Sequence, residues 1–187
     1  MMNKSNIPTP EELQSVLWYS SKTGKLYWRK RSPDMFDNSQ LNAEKSCLGW
    51  NKKYSGKEAF KVYNQDRYKR GKVFNMTFSS HRVCWAIYFN QWPEQQIDHI
   101  NGIRDDNRIE NLRDVSQAVN VKNSRKRKNN TSGHTGVSWL KNNKKWAATI
   151  NINGRKKYVG FFYKKEEAIA ARKKAAKKYL YTSRHGL

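Results

Sequence analysis

The sequence predicts an α+β protein, and three observations carry that prediction. Residues 59–76 alternate apolar and polar side chains with the period of half-buried strands. Residues 97–123 read as strand, polar loop, strand and helix, and residues 136–179 as three short strands followed by an alanine-rich helix.

Taken in order, Thr9-Pro10-Glu11-Glu12-Leu13 starts a helix, with Thr9 as cap, Pro10 at the first helical position and Glu12 three residues after the cap. This helix is expected to run to about Tyr19, after which Lys22-Thr23-Gly24-Lys25 turns into a strand at Leu26-Tyr27-Trp28. Residues 31–58 are polar and read as irregular, whereas Ala59 to Tyr63 and Lys72 to Met76 read as paired strands. Residues 1–80 thus form a strand-rich platform. From His81 to Phe89 the apolar spacing is that of a short buried helix, ended near Trp92-Pro93. A strand from Ile97 to Ile100, an Asn101-Gly102 turn, a polar loop, a second strand at Arg108 to Leu112 and a helix from about Ser116 to Asn123 complete a unit over residues 81–124. Residues 125–133 are a basic linker without apolar periodicity. Residues 134–187 form a last domain with strands Gly136 to Leu140, Trp146 to Ile152 and Lys157 to Phe162, divided by Asn142-Asn143 and Asn153-Gly154 turns, and a helix from Lys165 to about Tyr179. Ala168, Ala171, Ala175 and Ala176 let that helix lie close to its sheet. Alternation puts Ala148, Ile150, Val159 and Phe161 on the helix side, and Thr149, Asn151, Lys156 and Tyr158 on the open side.

The 187 residues hold 38 Lys and Arg against 15 Asp and Glu, a formal net charge of +23, so the expected partner is a polyanion. Seven Trp, ten Tyr and seven Phe supply enough buried area to anchor small cores despite a hydrophobic content of 36%. No apolar stretch approaches the roughly 18–20 residues that cross a bilayer, and the first residues lack an apolar signal core, so no membrane partner and a soluble, intracellular protein are expected. Cys47 and Cys84 are isolated in sequence, which argues against a disulfide framework and a structural zinc.

Asp98 and His99 stand side by side, Asn111 follows thirteen positions after Asp98, and Asn120 lies nine beyond that. Hydrolysis of a phosphodiester needs an activated water, charge neutralisation on the phosphate and help for the departing oxygen. Asp98 and Asn120 offer oxygen ligands to one hard cation, Mg2+ or Mn2+. His99, in its neutral form, takes the proton of the water, so the rate is expected to rise with pH through the imidazole titration near 6.5. Asn111 is expected to pin the hairpin by side-chain to backbone hydrogen bonds. Asp105 and Asp106 read as turn chemistry rather than ligands. His81 and Arg82 are accessory candidates, and His81 reads equally well as a packing or capping residue.

Asp98-His99, Asn111 and Asn120 resemble the HNH (ββα-metal) nuclease motif, with Asp in place of the first metal-binding His and Asn in place of the last His. The variant is similar to that of phage homing endonucleases. The resemblance implies that His99 is the general base, that Asp98 and Asn120 bind one divalent metal and that Asn111 is structural. Trp18-Tyr19, Thr23 to Trp28, His81-Arg82, Asp106 to Arg113 and Asn120-Val121-Lys122-Asn123 also look like pieces of such proteins, covering most of residues 13–125. The implied setting is the cytoplasm of an infected bacterial host.

The last domain resembles the Apetala/ethylene-response-factor DNA-binding domain over about residues 133–181, on Gly136-Val137, Trp146 to Ile150, Tyr158 to Phe162 and Glu166 to Ala171. That resemblance implies a sheet laid in the major groove of double-stranded DNA, with Ser138, Thr149, Asn151, Lys156 and Tyr158 facing it. Lys122, Asn123, Arg125, Lys126, Arg127 and Lys128 are candidate phosphate contacts. The sheet positions are mostly short polar groups rather than base-reading arginines, so phosphate contacts are expected to dominate. The combined expectation is a DNA endonuclease, monomer or homodimer, that nicks one strand or breaks two. Its rivals are a non-catalytic DNA-binding regulator on a degenerate HNH fold and, from charge alone, an RNA-binding ribosome-associated protein.

Overall fold

The structure is a computed structural model that describes residues 7–36, 42–124, 126, 129–152, 154–182 and 185. The chain divides into two compact units, Met1–Asp114 and Val115–Leu187. None of the described helices is long and apolar enough to cross a membrane.

The first unit begins with α1, Pro10–Val16, closed at its start by a capping box in which Thr9 Oγ1 accepts from the Glu12 amide and the Thr9 amide donates to Glu12. The helix stops at Val16 rather than near Tyr19, because Leu17 turns extended at φ −131° and ψ 150°. Leu17–Ser20 becomes β1, paired antiparallel with β2 at Lys25–Trp28, and Trp18 stacks on Tyr27 across the pair at 4.4 Å. Two turns of helix are too short to hold an aromatic run that the hairpin pairs across its strands.

Residues 31–58, expected to be irregular, contain α2 at Ala43–Tyr54, capped by Asn42 Oδ1 on the Glu44 amide. Among its residues only Ala43 and Cys47 are buried, so its apolar period is faint. Trp50 anchors it instead, with the Arg31 guanidinium 3.9 Å from its ring and Trp28 edge-on at 5.6 Å. The next sheet, in order β3-β4-β5, comprises Val62–Tyr63, Lys69–Val73 and Met76–Ser79. Phe74 and Asn75, expected inside a strand, both take positive φ, 48° and 61°, and form the two-residue turn between β4 and β5.

β5 runs directly into α3, Ser80–Phe89, which contributes the buried Val83, Cys84 and Ala86 to a core shared with Leu13, Leu17 and Leu26. Ile97 and Leu112 join the same core and so fix the hairpin of β6, Gln96–His99, with β7, Leu112–Val115. The loop between them ends in a 3-10 turn at Ile109–Asn111.

In the second unit α4, Gln117–Val121, is capped by Ser116. A sheet in order β10-β9-β8 follows, from Val137–Leu140 (β8), Lys145–Ile152 (β9) and Arg155–Phe162 (β10), then α5 at Lys165–Lys178. The core under α5 contains Val137, Ala148 and Ala168, with Trp146, Phe162 and Ile169 against it. Phe162, not Phe161, takes the helix side. A bulge between Tyr158 and Gly160 adds one residue to β10 and reverses the alternation beyond it, so Phe161 is 50% exposed and stacks on Tyr158 at 5.0 Å. The expected turn at Asn153-Gly154 is described only at Gly154, since Asn153 lies outside the described residues.

Gly136 enters β8 at φ +78°, and a Cβ there would stand 2.4 Å from Thr149 O and 2.5 Å from Arg172 Nε. Gly136→Ala therefore combines left-handed strain with a collision against backbone, and should destabilise the second unit by about 2–3 kcal/mol. Urea unfolding followed by Trp fluorescence in a background that keeps only Trp139 and Trp146 checks this. An unchanged midpoint would mean that the sheet entry relaxes freely.

Candidate functional site

β6 carries Asp98 and His99 as neighbours, 7% and 3% exposed. Adjacent strand residues point to opposite faces, yet both are buried here because Arg113 from β7 covers one and aromatic rings cover the other. Asp98 Oδ2 accepts two hydrogen bonds from Arg113, from Nη2 at 2.7 Å and Nε at 2.9 Å. His99 lies edge-on to His81 at 5.4 Å and beside Tyr68 at 5.7 Å, and Tyr68 meets His81 at 5.1 Å. His99 also meets Asn107, 1% exposed, whose Oδ1 lies 2.9 Å from His99 Nε2. An amide oxygen there makes Nε2 the protonated nitrogen and Nδ1 the basic one. Burial is the largest effect on the His99 imidazole and holds its pKa below the usual value, against the opposing pull of Asn107 and nearby carboxylates.

The loop from Ile100 to Asn111 is built by side chains. Asn111, 5% exposed, accepts from the Asn101 amide through Oδ1 at 2.9 Å and donates through Nδ2 to Asp106 O at 2.7 Å, while its own carbonyl accepts from the Ile100 amide. Asn101 donates to Asp106 and accepts from the Ile103 amide. Asp106 also receives a forked pair of bonds from Arg108, both at 2.8 Å, which holds its carboxyl well below the usual range, at about 2. Asp105 accepts from the Tyr63 hydroxyl. Both aspartates are thus engaged in the loop.

His81 and Arg82 open α3. Arg82 donates to Gln95 O and Pro93 O and so ties the helix to the lead-in of β6. His81 is held neutral: burial first, then His99 and Arg82, lower its pKa to about 3. Asn107 and Arg113 fall in the Asp106 to Arg113 segment of the sequence resemblance, but nothing there singles either of them out. Only the fold shows what they touch.

In the second unit Asn120 sits on α4. Asn123, expected to contact phosphate, is 4% exposed and accepts from the Thr182 hydroxyl, so it faces inward. Lys122 Nζ lies 5.7 Å from the Tyr181 ring, and Lys126 Nζ donates to Gly133 O. Arg125, Arg127 and Lys128 lie outside the described residues. On the open side of the sheet Ser138, Asn151, Lys156 and Tyr158 are exposed. Thr149 is only 8% exposed, its hydroxyl donating to Gly136 O.

Among the described residues no group of three or more His, Cys, Asp or Glu side chains is placed to hold a metal ion. The expected donor set is smaller, one carboxylate and one amide. Its oxygens suit a hard cation that keeps most of its waters.

The neutral His81 generates a stability prediction. Its folded pKa, about 3, lies below the ordinary 6.5, so protons prefer the unfolded chain. His81 contributes its full share of stability above about pH 6.5 and loses it progressively as pH falls toward 3. The urea midpoint of wild type should fall relative to His81→Gln across that window, with a constant difference above it. A difference that stays constant throughout would show that His81 protonates as readily in the fold as in the unfolded chain.

Residues 79–122 match the HNH endonuclease family model. Over 88 residues the chain is 37% identical to Protein 3.8 of Escherichia phage T7, covering 46% of this chain and 73% of that protein. No solved structure matches. The matched segment contains the β6–β7 hairpin, its pinned loop and α4, and a nuclease is the activity that such a domain supports. The chain belongs to the family of phage T7 Protein 3.8 and carries an HNH endonuclease domain.

Proposed function

We propose that the protein is a metal-dependent endonuclease of the homing type that hydrolyses phosphodiester bonds of double-stranded DNA in the cytoplasm of a phage-infected bacterium. The observation that carries this reading is the buried His99, locked by Asn107 in a loop that Asn111 pins, inside the segment that matches the HNH family.

His99 is the general base. Burial favours its neutral form, and Nδ1 takes the proton as water adds to phosphorus and the bond to the departing sugar oxygen breaks. Asp98 and Asn120 would hold the divalent cation that HNH nucleases use, and that cation would supply charge neutralisation for the phosphate and the departing oxygen. Asn111 holds the hairpin. The second unit binds DNA as a sheet-plus-helix module of the ethylene-response-factor kind. Its composition supports this, since 19 of the 38 Lys and Arg residues but only 2 of the 15 Asp and Glu residues fall in Val115–Leu187. One site nicks one strand, and two chains together break both.

One observation favours a second reading, a non-catalytic DNA-binding regulator: Arg113 gives both of its bonds to the carboxylate a metal needs. Plasmid cleavage separates the two. With Mg2+ or Mn2+ the wild type should nick or linearise supercoiled DNA that includes the native target, EDTA should stop it, and His99→Ala should lower the rate by about 10²–10⁴-fold while duplex affinity holds. Tight binding without cutting under any metal would establish the regulator instead.

Lys156→Ala should weaken duplex binding alike on all sequences and reduce the slope of log K against log salt by about 0.9. An unchanged slope would remove the open face of the sheet from the DNA interface.

A further inference from the structure

We propose that Tyr19, sixty residues before the HNH segment, is a positioning residue for the base His99 and acts through Asn107; the proposal rests on the nuclease reading of that site. The Tyr19 hydroxyl donates to the backbone carbonyl of Asn107 at 2.7 Å, and the Asn107 side chain in turn holds His99 Nε2 at 2.9 Å. One residue thus receives the N-terminal hairpin on its main chain and presents the imidazole's partner on its side chain.

Asn107 needs this support because it lies in a stretch with neither helix nor strand. Two successive carbonyls are gripped from two sides, Asp106 O by Asn111 Nδ2 and Asn107 O by Tyr19, each at 2.7 Å. With both held, the orientation of the Asn107 peptide is set, and its amide oxygen stands where His99 requires it.

The hairpin is shaped for this approach. Gly24, at φ +71° in the β1–β2 turn, lies so close that a Cβ would stand 2.6 Å from both Arg108 N and Asn107 C. On the other side, the Cys84 thiol of α3 lies 4.0 Å from Gly24 O. Leu17 and Leu26, on either strand, are sealed in the core, so the hydroxyl of Tyr19 is carried on a rigid element. Burial raises the Tyr19 pKa far above its ordinary 10, which keeps the hydroxyl a donor at every working pH. The catalytic constellation therefore extends beyond the matched segment into the first hairpin.

Tyr19→Phe removes only the hydroxyl and tests the link in the full-length protein. Expected is a kcat for DNA cleavage lower by about tenfold, with KM and duplex affinity within about twofold of wild type. Asn107→Ala should lose more, about a hundredfold, and the double variant should be no slower than Asn107→Ala alone, because both changes break one chain. A second readout needs no turnover: the 15N signals of the His99 ring should show a mainly Nε2-protonated neutral form in wild type and a mixed population in Tyr19→Phe. Unchanged kcat in Tyr19→Phe, or a double variant slowed by the product of the two single effects, would overturn the proposal. Wild type without metal-dependent cleavage would overturn the nuclease reading instead. In that case unchanged ring signals in Tyr19→Phe would overturn the positioning role as well.

Discussion

The first unit depends on a loop that has almost no backbone ladder of its own. Between β6 and β7 the chain from Ile100 to Asn111 keeps its course because Asn101, Asp106 and Asn111 satisfy backbone groups and one another, while the Asn107 side chain meets His99. Asn107 and Asn111 are 1% and 5% exposed, where an unmet amide is costly, so the loop has few alternative arrangements. That constraint turns two strand residues into a site. Asp98 and His99 are placed by the hydrophobic anchoring of Ile97 and Leu112, but the loop decides what each touches.

Charge divides along the same line as the fold. The ion pairs found among the described residues all fall in the first unit, where Glu58, Asp98, Asp106 and Glu110 each meet Lys or Arg. In the second unit the acids are reduced to Glu166 and Glu167 in the first turn of α5, where they complement the helix dipole. Several of its lysines lie on rings, as with Lys145 over Tyr163, Lys156 over Tyr158 and Lys165 over Trp146. Such contacts hold the side chains without neutralising them. The second unit therefore keeps a large excess of positive charge, whereas the first pairs several of its charges internally.

Elements with a strong local signal were legible in the sequence. The Thr9 capping box, the apolar spacing of α3 and the Asn-marked strands of the second unit appear in the structure close to where patterning puts them. Legibility failed where stability comes from a few large contacts. α2 shows no periodic face because Arg31 and Trp50 anchor it, and Phe74 is a strand residue by type but stands in a turn that its positive φ defines. The faces of β10 were misassigned because a bulge has no composition signature, so strict alternation carried Phe161 to the wrong side. In the site, residue types and spacing put Asp98, His99, Asn111 and Asn120 forward as candidates. Tyr19, Asn107 and Arg113 lay in segments that the sequence resemblance covers, but what each touches was not legible, since tertiary structure brings Asn107 to His99, Arg113 to Asp98 and Tyr19 to Asn107 over 8, 15 and 88 residues of separation.

Arg113 shapes what the Asp98 carboxylate can do. At 7% exposure the carboxylate needs positive charge beside it, and the forked contact from β7 provides it as part of the fold. Arg113 Nε and Nη2 both donate to Asp98 Oδ2, so the neighbouring strand holds the carboxylate and its position is set by the fold itself.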